Sequence, residues 1–232
     1  MVHLVKENSY VLVSLDGGRI LELVLDGWMV LWNGVRPDGK WAATHVCVPN
    51  FRKVRSGDLI ALPQHGSSRS EKWELVSNNP LKIRWQMKEK VGNYPPGLIA
   101  EQEFRLDKTS LDYVLRLKNQ GTKTILINPG VHFYFVVGDK DKVKINDQKV
   151  DPGLWLGDGS VFPIKDKNVI NLGWGKIGLE QAGFKQFMLW SPEGAEFVCI
   201  EPINGVDDDI YRKENELEVG KERVWRVKLG IK

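Results

Sequence analysis

Two titratable side chains stand where titratable side chains are expensive. In "INPGVHFYFVVGD", residues 127–139, His132 interrupts an apolar run, and in "AEFVCIEPINGVDDDI", residues 195–210, Glu201 does the same. Side chains alternate along a strand. His132, Tyr134 and Val136 therefore share one face, and Phe133, Phe135 and Val137 the other. Likewise Phe197, Cys199 and Glu201 share a face, against Val198 and Ile200. A strand apolar on both faces is covered on both sides. Burying a carboxylate without a partner is costly and raises its pKa. A carboxyl and an imidazole at the ends of such strands are what a proton-transfer site needs. Glu196, five positions before Glu201, points the opposite way, and Pro202 is expected to end its strand because it cannot donate to a ladder.

The elements that must position these groups are strands. "LKIRWQMKEK" puts Ile83, Trp85 and Met87 on one face and Lys82, Arg84, Gln86 and Lys88 on the other. "LDYVLRLKN" alternates through Leu111, Tyr113, Leu115 and Leu117, and "RVWRVKLGI" through Trp225, Val227, Leu229 and Ile231. Period-2 patterns of this kind predict half-buried strands. Asp16-Gly17, Asp26-Gly27, Asn33-Gly34, Asp38-Gly39, Asp158-Gly159 and Asn204-Gly205 supply tight-turn chemistry between them. No helical period lasts beyond two turns; "SRSEKW" has a capping-box spacing, Ser68 to Glu71, but no amphipathic run follows it. The pattern predicts an all-β chain, a large antiparallel β-sandwich of two packed sheets, in one domain spanning 1–232.

Composition narrows the function. The 232 residues carry 33 basic and 30 acidic side chains, a formal charge of +3 with no basic block, which argues against nucleic acid as partner. No apolar run approaches the roughly 18 residues that cross a bilayer, and the N-terminus lacks the pattern of a signal peptide, so no membrane partner and a cytoplasmic location are expected. Cys47 and Cys199 lie far apart, which fits a reduced compartment. His45 and Cys47, two apart, have a spacing that metal ligands sometimes use, but no second ligand pair accompanies them; the reading is a buried cysteine and no metal. "VDDDI" lacks the spaced ligands of a calcium loop, and there is no Gly-x-Gly-x-x-Gly, Walker or Gly-x-Ser-x-Gly motif.

His65-Gly66 in a turn-rich segment, with Arg69 four residues on, is a weak signal alone. Taken with the two strands, it resembles the aldose 1-epimerase (galactose mutarotase-like) family, most nearly the glucose-6-phosphate 1-epimerase (hexose-6-phosphate mutarotase) branch. In chain order, "PNF" with Arg52, "HGSSRSEKW" (65–73), "HFYF" (132–135), "LWSP" (189–192) and "FVCIEP" (197–202) look like the family's segments. Ser67 and Ser68 stand where an aromatic and a small apolar residue are usual; Phe51 replaces a Gly, and Ile203 a Trp. The resemblance implies cofactor-independent interconversion of the α and β anomers of a hexose or hexose 6-phosphate, with Glu201 as base and His132 as acid. His65 would hold sugar oxygens, and Arg52 and Arg69 would anchor hydroxyls or a phosphate. The implied partner is a small sugar or sugar phosphate, bound by a monomer or dimer. An aspartate, one of Asp139, Asp158 and Asp166, would bind hydroxyls, and Trp32, Trp155 and Trp174 could line the cleft. The alternative, motivated by the serine-substituted segment, is a non-catalytic carbohydrate-binding protein on the same fold. A glycosidase would want two carboxylates, and here one Glu and one His form the visible pair.

Overall fold

The computed structural model describes residues 1–232. Two antiparallel sheets face each other. The first runs in the order Val2–Lys6, Ser9–Ser14, Arg19–Leu25, Trp28–Leu31, Tyr134–Val136, Phe197–Ile203, Gly130–His132 and His45–Cys47. Gln186–Trp190 also pairs with Phe197–Ile203, and Ser160–Pro163 pairs with Gln186–Trp190. The second sheet has nine strands, with Glu222–Ile231 and Ser110–Asn119 at its centre. Helical structure is confined to five 3₁₀ turns, one of them at Ser68–Ser70. The expected sandwich is the observed one.

The alternation read from sequence decides which side chains fill the space between the sheets. Ile83, Trp85, Met87, Leu111, Tyr113, Leu115, Leu117, Trp225, Val227 and Leu229 enter a core of 49 buried residues from one side. Val11, Val13, Phe133, Phe135, Val198 and Ile200 enter it from the other. Burying each large apolar side chain stabilises by about 1.5–3 kcal/mol. The Asp26-Gly27 hairpin joins Arg19–Leu25 to Trp28–Leu31 with both residues at positive φ (48° and 83°), the geometry of a type I′ turn.

Where Phe133, Phe135, Val198 and Ile200 point into the core, His132, Tyr134, Cys199 and Glu201 must point out of the opposite face of the ten-stranded sheet. That face is flanked by the long connection that follows His45–Cys47, by the turn carrying Arg36 and Lys40, and by Gly157 and Asp158 ahead of Ser160–Pro163. Pro202 does not end its strand, which continues to Ile203. The reason lies in the neighbour: the ladder to the 130–136 segment holds at Gly130↔Ile203 and resumes at Tyr134↔Cys199, with Phe133 N–H turned back onto the Val131 carbonyl (3.1 Å). Pro202 falls in that gap, where no donor is demanded of it.

Candidate active site

The interrupted ladder sets the central geometry. A register that pairs Gly130 with Ile203 and Tyr134 with Cys199 places His132 opposite Glu201. Their side chains meet, with His132 Nε2 3.5 Å from Glu201 Oε2. Glu201 is 1% exposed and His132 6%. Both line a cavity of about 380 Å³ with Arg36, Lys40, Phe51, Arg52, Gln64, His65, Arg69, Tyr134, Gly157, Asp158, Met188 and Trp190. Desolvation pushes the Glu201 carboxyl well above its ordinary range, with Arg52 opposing weakly. Desolvation, with His45, His65 and nearby arginines, pushes His132 well below its own. Both shifts act in the same sense, favouring a neutral carboxyl beside a neutral imidazole, a pair with one proton between them.

His132 is held between two rings. His45 stacks on it at 4.9 Å between centroids (22°), and Tyr134 at 4.6 Å (15°). His45 faces it directly across the 45–47 and 130–132 strands. The His45 Nδ1–H donates to the Ala43 carbonyl (3.0 Å), which leaves Nε2 as the unprotonated nitrogen, and that atom has no partner.

His65 reaches the cavity from the loop after His45–Cys47. It sits at φ 63°, and Gly66 behind it at φ 72°. A Cβ on Gly66 would lie 2.0 Å from the Val48 carbonyl oxygen, so only glycine lets the loop pass this close. The His65 amide donates to the Arg52 carbonyl (3.0 Å). Its Nδ1 accepts from the Arg52 amide (3.4 Å) and lies 3.3 Å from Cys47 Sγ, which puts the ring proton on Nε2; the Gln64 side-chain amide, 3.3 Å from Nε2, then accepts that proton only with its oxygen turned to the ring. Burial and the adjacent Arg69, Arg52 and Arg36 push its pKa down to about 3, which keeps the ring neutral.

Four cations line the cavity, and they differ in their partners. Arg52 pairs with Asp158 (3.2 Å) and Asp207 (3.6 Å). Arg36 pairs with Asp38 and lies 5.0 Å over the Trp190 ring, and Lys40 lies 3.9 Å from Asp38. Arg69 has no carboxylate within 4.0 Å; Glu71, its neighbour in sequence, accepts instead from Trp85 Nε1 (2.9 Å). The structure therefore brings all five sequence-derived site residues, Glu201, His132, His65, Arg69 and Arg52, to one cavity.

It also corrects and completes the reading. Of the three aspartates, Asp158 lines the cavity, whereas Asp139 caps a surface turn and Asp166 lies on the outer face of the other sheet. The cleft tryptophan is Trp190, not Trp32, Trp155 or Trp174; Trp32 packs on Tyr134 and Phe197, Trp155 is buried, and Trp174 stacks on Trp28 at 5.8 Å. Trp190 had a signal, being the aromatic of "LWSP". Tyr134 had one too, sharing the His132 face. Arg36 and Lys40 had none, since the loop that carries them shows no pattern. Ser67 and Ser68 are buried away from the cavity lining, and Ser68 Oγ donates to the Val46 carbonyl (3.4 Å). Two groups could hold a metal ion: His45, Cys47 and His65, and His132, Cys199 and Glu201.

The model of the family described as aldose 1-epimerase matches residues 6–168, which include Arg52, His65, Arg69 and His132. The chain belongs to the aldose 1-epimerase family. Among solved structures, a galactose mutarotase-like protein from Lactobacillus casei superposes with a TM-score of 0.81 at 18% identity, covering 100% of both chains. A galactose mutarotase related enzyme from Lactobacillus acidophilus gives 0.80 at 15%, covering 99% of this chain and 96% of that one. A protein from Synechocystis gives 0.80 at 17%, covering 99% and 94%. At these identities the likeness is one of fold. No curated protein matches the sequence. No helix of this aldose 1-epimerase family member is long and apolar enough to cross a membrane.

Proposed function

We propose that this protein is a mutarotase that interconverts the α and β anomers of a hexose, with a phosphorylated hexose favoured, and that Glu201 and His132 carry the proton transfers. The observation that supports it is the 3.5 Å contact between the two groups, both buried and both lining the cavity. The C1 hydroxyl and the ring oxygen are bonded to the same carbon, so the groups that serve them must be neighbours. Glu201 as carboxylate takes the C1 hydroxyl proton. The C1–ring-oxygen bond breaks, its electron pair goes to the ring oxygen, and His132 protonates that oxygen. The aldehyde turns about C1–C2, and the reverse steps on its other face give the second anomer. A pair holding one proton needs only to shift it from carboxyl to imidazole to begin, and ring opening returns it. Each positioned transfer is typically worth about 10²–10⁴ in rate.

His65 Nε2–H donates to a sugar oxygen, and the Trp190 face offers an aromatic platform. The surplus of cations, Arg36, Lys40, Arg52 and Arg69, favours a phosphate over a neutral sugar. Anomer exchange of glucose, galactose and their 6-phosphates, followed by NMR or polarimetry, tests this. Acceleration in the wild type, lost at least about 100-fold in Glu201→Gln and His132→Ala, is the expected result. Sugar binding without acceleration on any substrate would establish the carbohydrate-binding alternative instead.

A further inference from the structure

We propose that His45, Cys47 and His65 form a binding site for a thiophilic divalent cation such as Zn²⁺ or Cd²⁺ at the inner wall of the cavity, and that the ion inhibits the enzyme. His45 and Cys47 share a face of their strand, two residues apart, and the His65 loop folds over them. The three ligating atoms lie within 4.8 Å of one another. Cys47 Sγ and His65 Nδ1 are 3.3 Å apart, about the separation of two ligands around one tetrahedral ion bound at roughly 2.3 Å to sulfur and 2.0–2.1 Å to nitrogen.

The hydrogen bonding already presents the lone pairs. His45 gives its Nδ1 proton to the Ala43 carbonyl, and the nitrogen left over, Nε2, is buried without any partner in a residue 3% exposed. The stacking of His45 on His132 accounts for its ring but not for a buried nitrogen left without a hydrogen bond beside a thiol and a second imidazole lone pair. His65 likewise directs Nδ1 inward and keeps its proton on Nε2. Only the Cys47 thiol proton must leave, to solvent, for two nitrogens and a thiolate to hold the ion. The second candidate group, His132, Cys199 and Glu201, also has buried atoms without partners, but His132 and Glu201 are the pair assigned to proton transfer, and Cys199→Ser tells the two groups apart.

Cys47 and His45 are sealed on the sheet side, and His65 is the member that lines the cavity. The ion must therefore enter from the cavity and take its remaining ligand, a water, from there. Three protein ligands and one open position is the arrangement of a reactive or inhibited site rather than a structural one. The three ligands must draw together around the ion, so the His65 ring moves and its Nε2–H leaves the position from which it serves a sugar oxygen; ion binding therefore opposes sugar binding.

Titrating the metal-free full-length protein with Cd²⁺ tests this through the ultraviolet thiolate-to-cadmium charge-transfer band. The band is expected to saturate at one Cd²⁺ per chain, to vanish in Cys47→Ser, to persist in Cys199→Ser, and to need at least tenfold more Cd²⁺ in His45→Asn. Wild-type anomer exchange should fall in step with the band and return with a chelator. No band in the wild type, a band that survives in Cys47→Ser, or one lost in Cys199→Ser instead would each overturn the proposal. Should Cys47→Ser not fold by circular dichroism, the ¹¹³Cd chemical shift of the wild-type complex decides, since a shift outside the range for two nitrogens and one thiolate refutes the site. The band is read without substrate, so the site stands or falls separately from the mutarotase activity.

Discussion

Arg69 is the cavity cation without a counter-ion, and Arg69→Ala is the substitution that most sharply tests what the cavity is charged for. Arg52 must give up Asp158 and Asp207 before it can hold a ligand, and Arg36 must give up Asp38. Asp158 is 79% exposed on its side chain, so that pair is worth at most about 1 kcal/mol and is screened by salt. Arg69 has no such partner to release. A hydrogen bond from a guanidinium to a charged phosphate contributes about 1.5–3 kcal/mol. At 1.4 kcal/mol per decade, Arg69→Ala should raise KM for a hexose 6-phosphate roughly 10- to 150-fold. The same change should alter KM for the neutral hexose by less than about threefold, since that sugar has no phosphate for the guanidinium to hold. Arg52→Ala should cost less than Arg69→Ala on the phosphate. The assay is saturation-transfer NMR of anomer exchange over a range of sugar concentrations, with each variant's fold checked by circular dichroism. Equal losses on the phosphorylated and neutral sugars, or a larger loss in Arg52→Ala, would refute the view that the unpaired arginine seats the phosphate.

Three further outcomes follow from the buried ionisable groups and the loop that carries His65. With Glu201 raised and His132 lowered by burial, the one-proton state of the pair lies between the two transitions; kcat/KM should therefore be bell-shaped, falling on the acid side as His132 takes a second proton and on the basic side as Glu201 loses its own, as pH–rate profiles would show. His65 has a folded pKa of about 3 against an ordinary 6.5, so its contribution to stability is complete above pH 6.5 and is lost as the pH falls towards 3, at about 1.4 kcal/mol per pH unit. His45 and His132 act in the same direction. Glu201, raised, acts in the opposite one, its contribution present below about pH 4.5 and lost as pH rises. Urea midpoints between pH 6.5 and 4.5 should thus fall in the wild type and fall less steeply in His65→Gln. Gly66→Ala forces a Cβ against the Val48 carbonyl at positive φ, so it should lower the urea midpoint by an amount equal to about 1–3 kcal/mol and reduce activity by displacing His65; an unchanged protein would show that the loop yields there.

What the sequence discloses of this protein is what the period-2 rule can carry. Trp85, Leu115 and Val227 alternate with charged residues, so their faces were plain, and the two sheets with them. The same rule put Glu201 and His132 on the faces opposite Ile200 and Phe133. Which cavity lies on that side was beyond it, because the covering loops have no period. Thus Arg36 and Lys40 arrive from a segment that looks like an ordinary turn, and Trp190 was distinguishable from the other eight tryptophans only through the motif around it. Pro202 shows the rule's other limit: a residue that should stop a strand is tolerated where the neighbouring ladder happens to be open, a property of the partner strand and not of the local sequence. His45 was legible only through its spacing from Cys47 and not as the ring stacked on His132, since only the register of two strands brings them together.

That register also explains why the catalytic pair is placed on strands and its binding residues on loops. Proton transfer tolerates little misplacement, about 0.5 Å for a productive constellation. A strand buried on both faces cannot slip by one residue without turning Phe133 and Ile200 out of the core and His132 and Glu201 into it. The cost of that slip is the burial of the whole apolar set, at about 1.5–3 kcal/mol for each large side chain. The core that makes the imidazole and carboxyl expensive to bury is therefore what fixes their separation at contact distance. The binding side chains face the opposite demand. A loop that changes by substitution alters Arg36, Arg52 or Arg69 without moving the pair, so the choice of sugar can vary while the chemistry stays. On this protein the division is visible in the packing, because Glu201 and His132 sit among residues of the central strands, while every cation lining the cavity comes from a connection between strands.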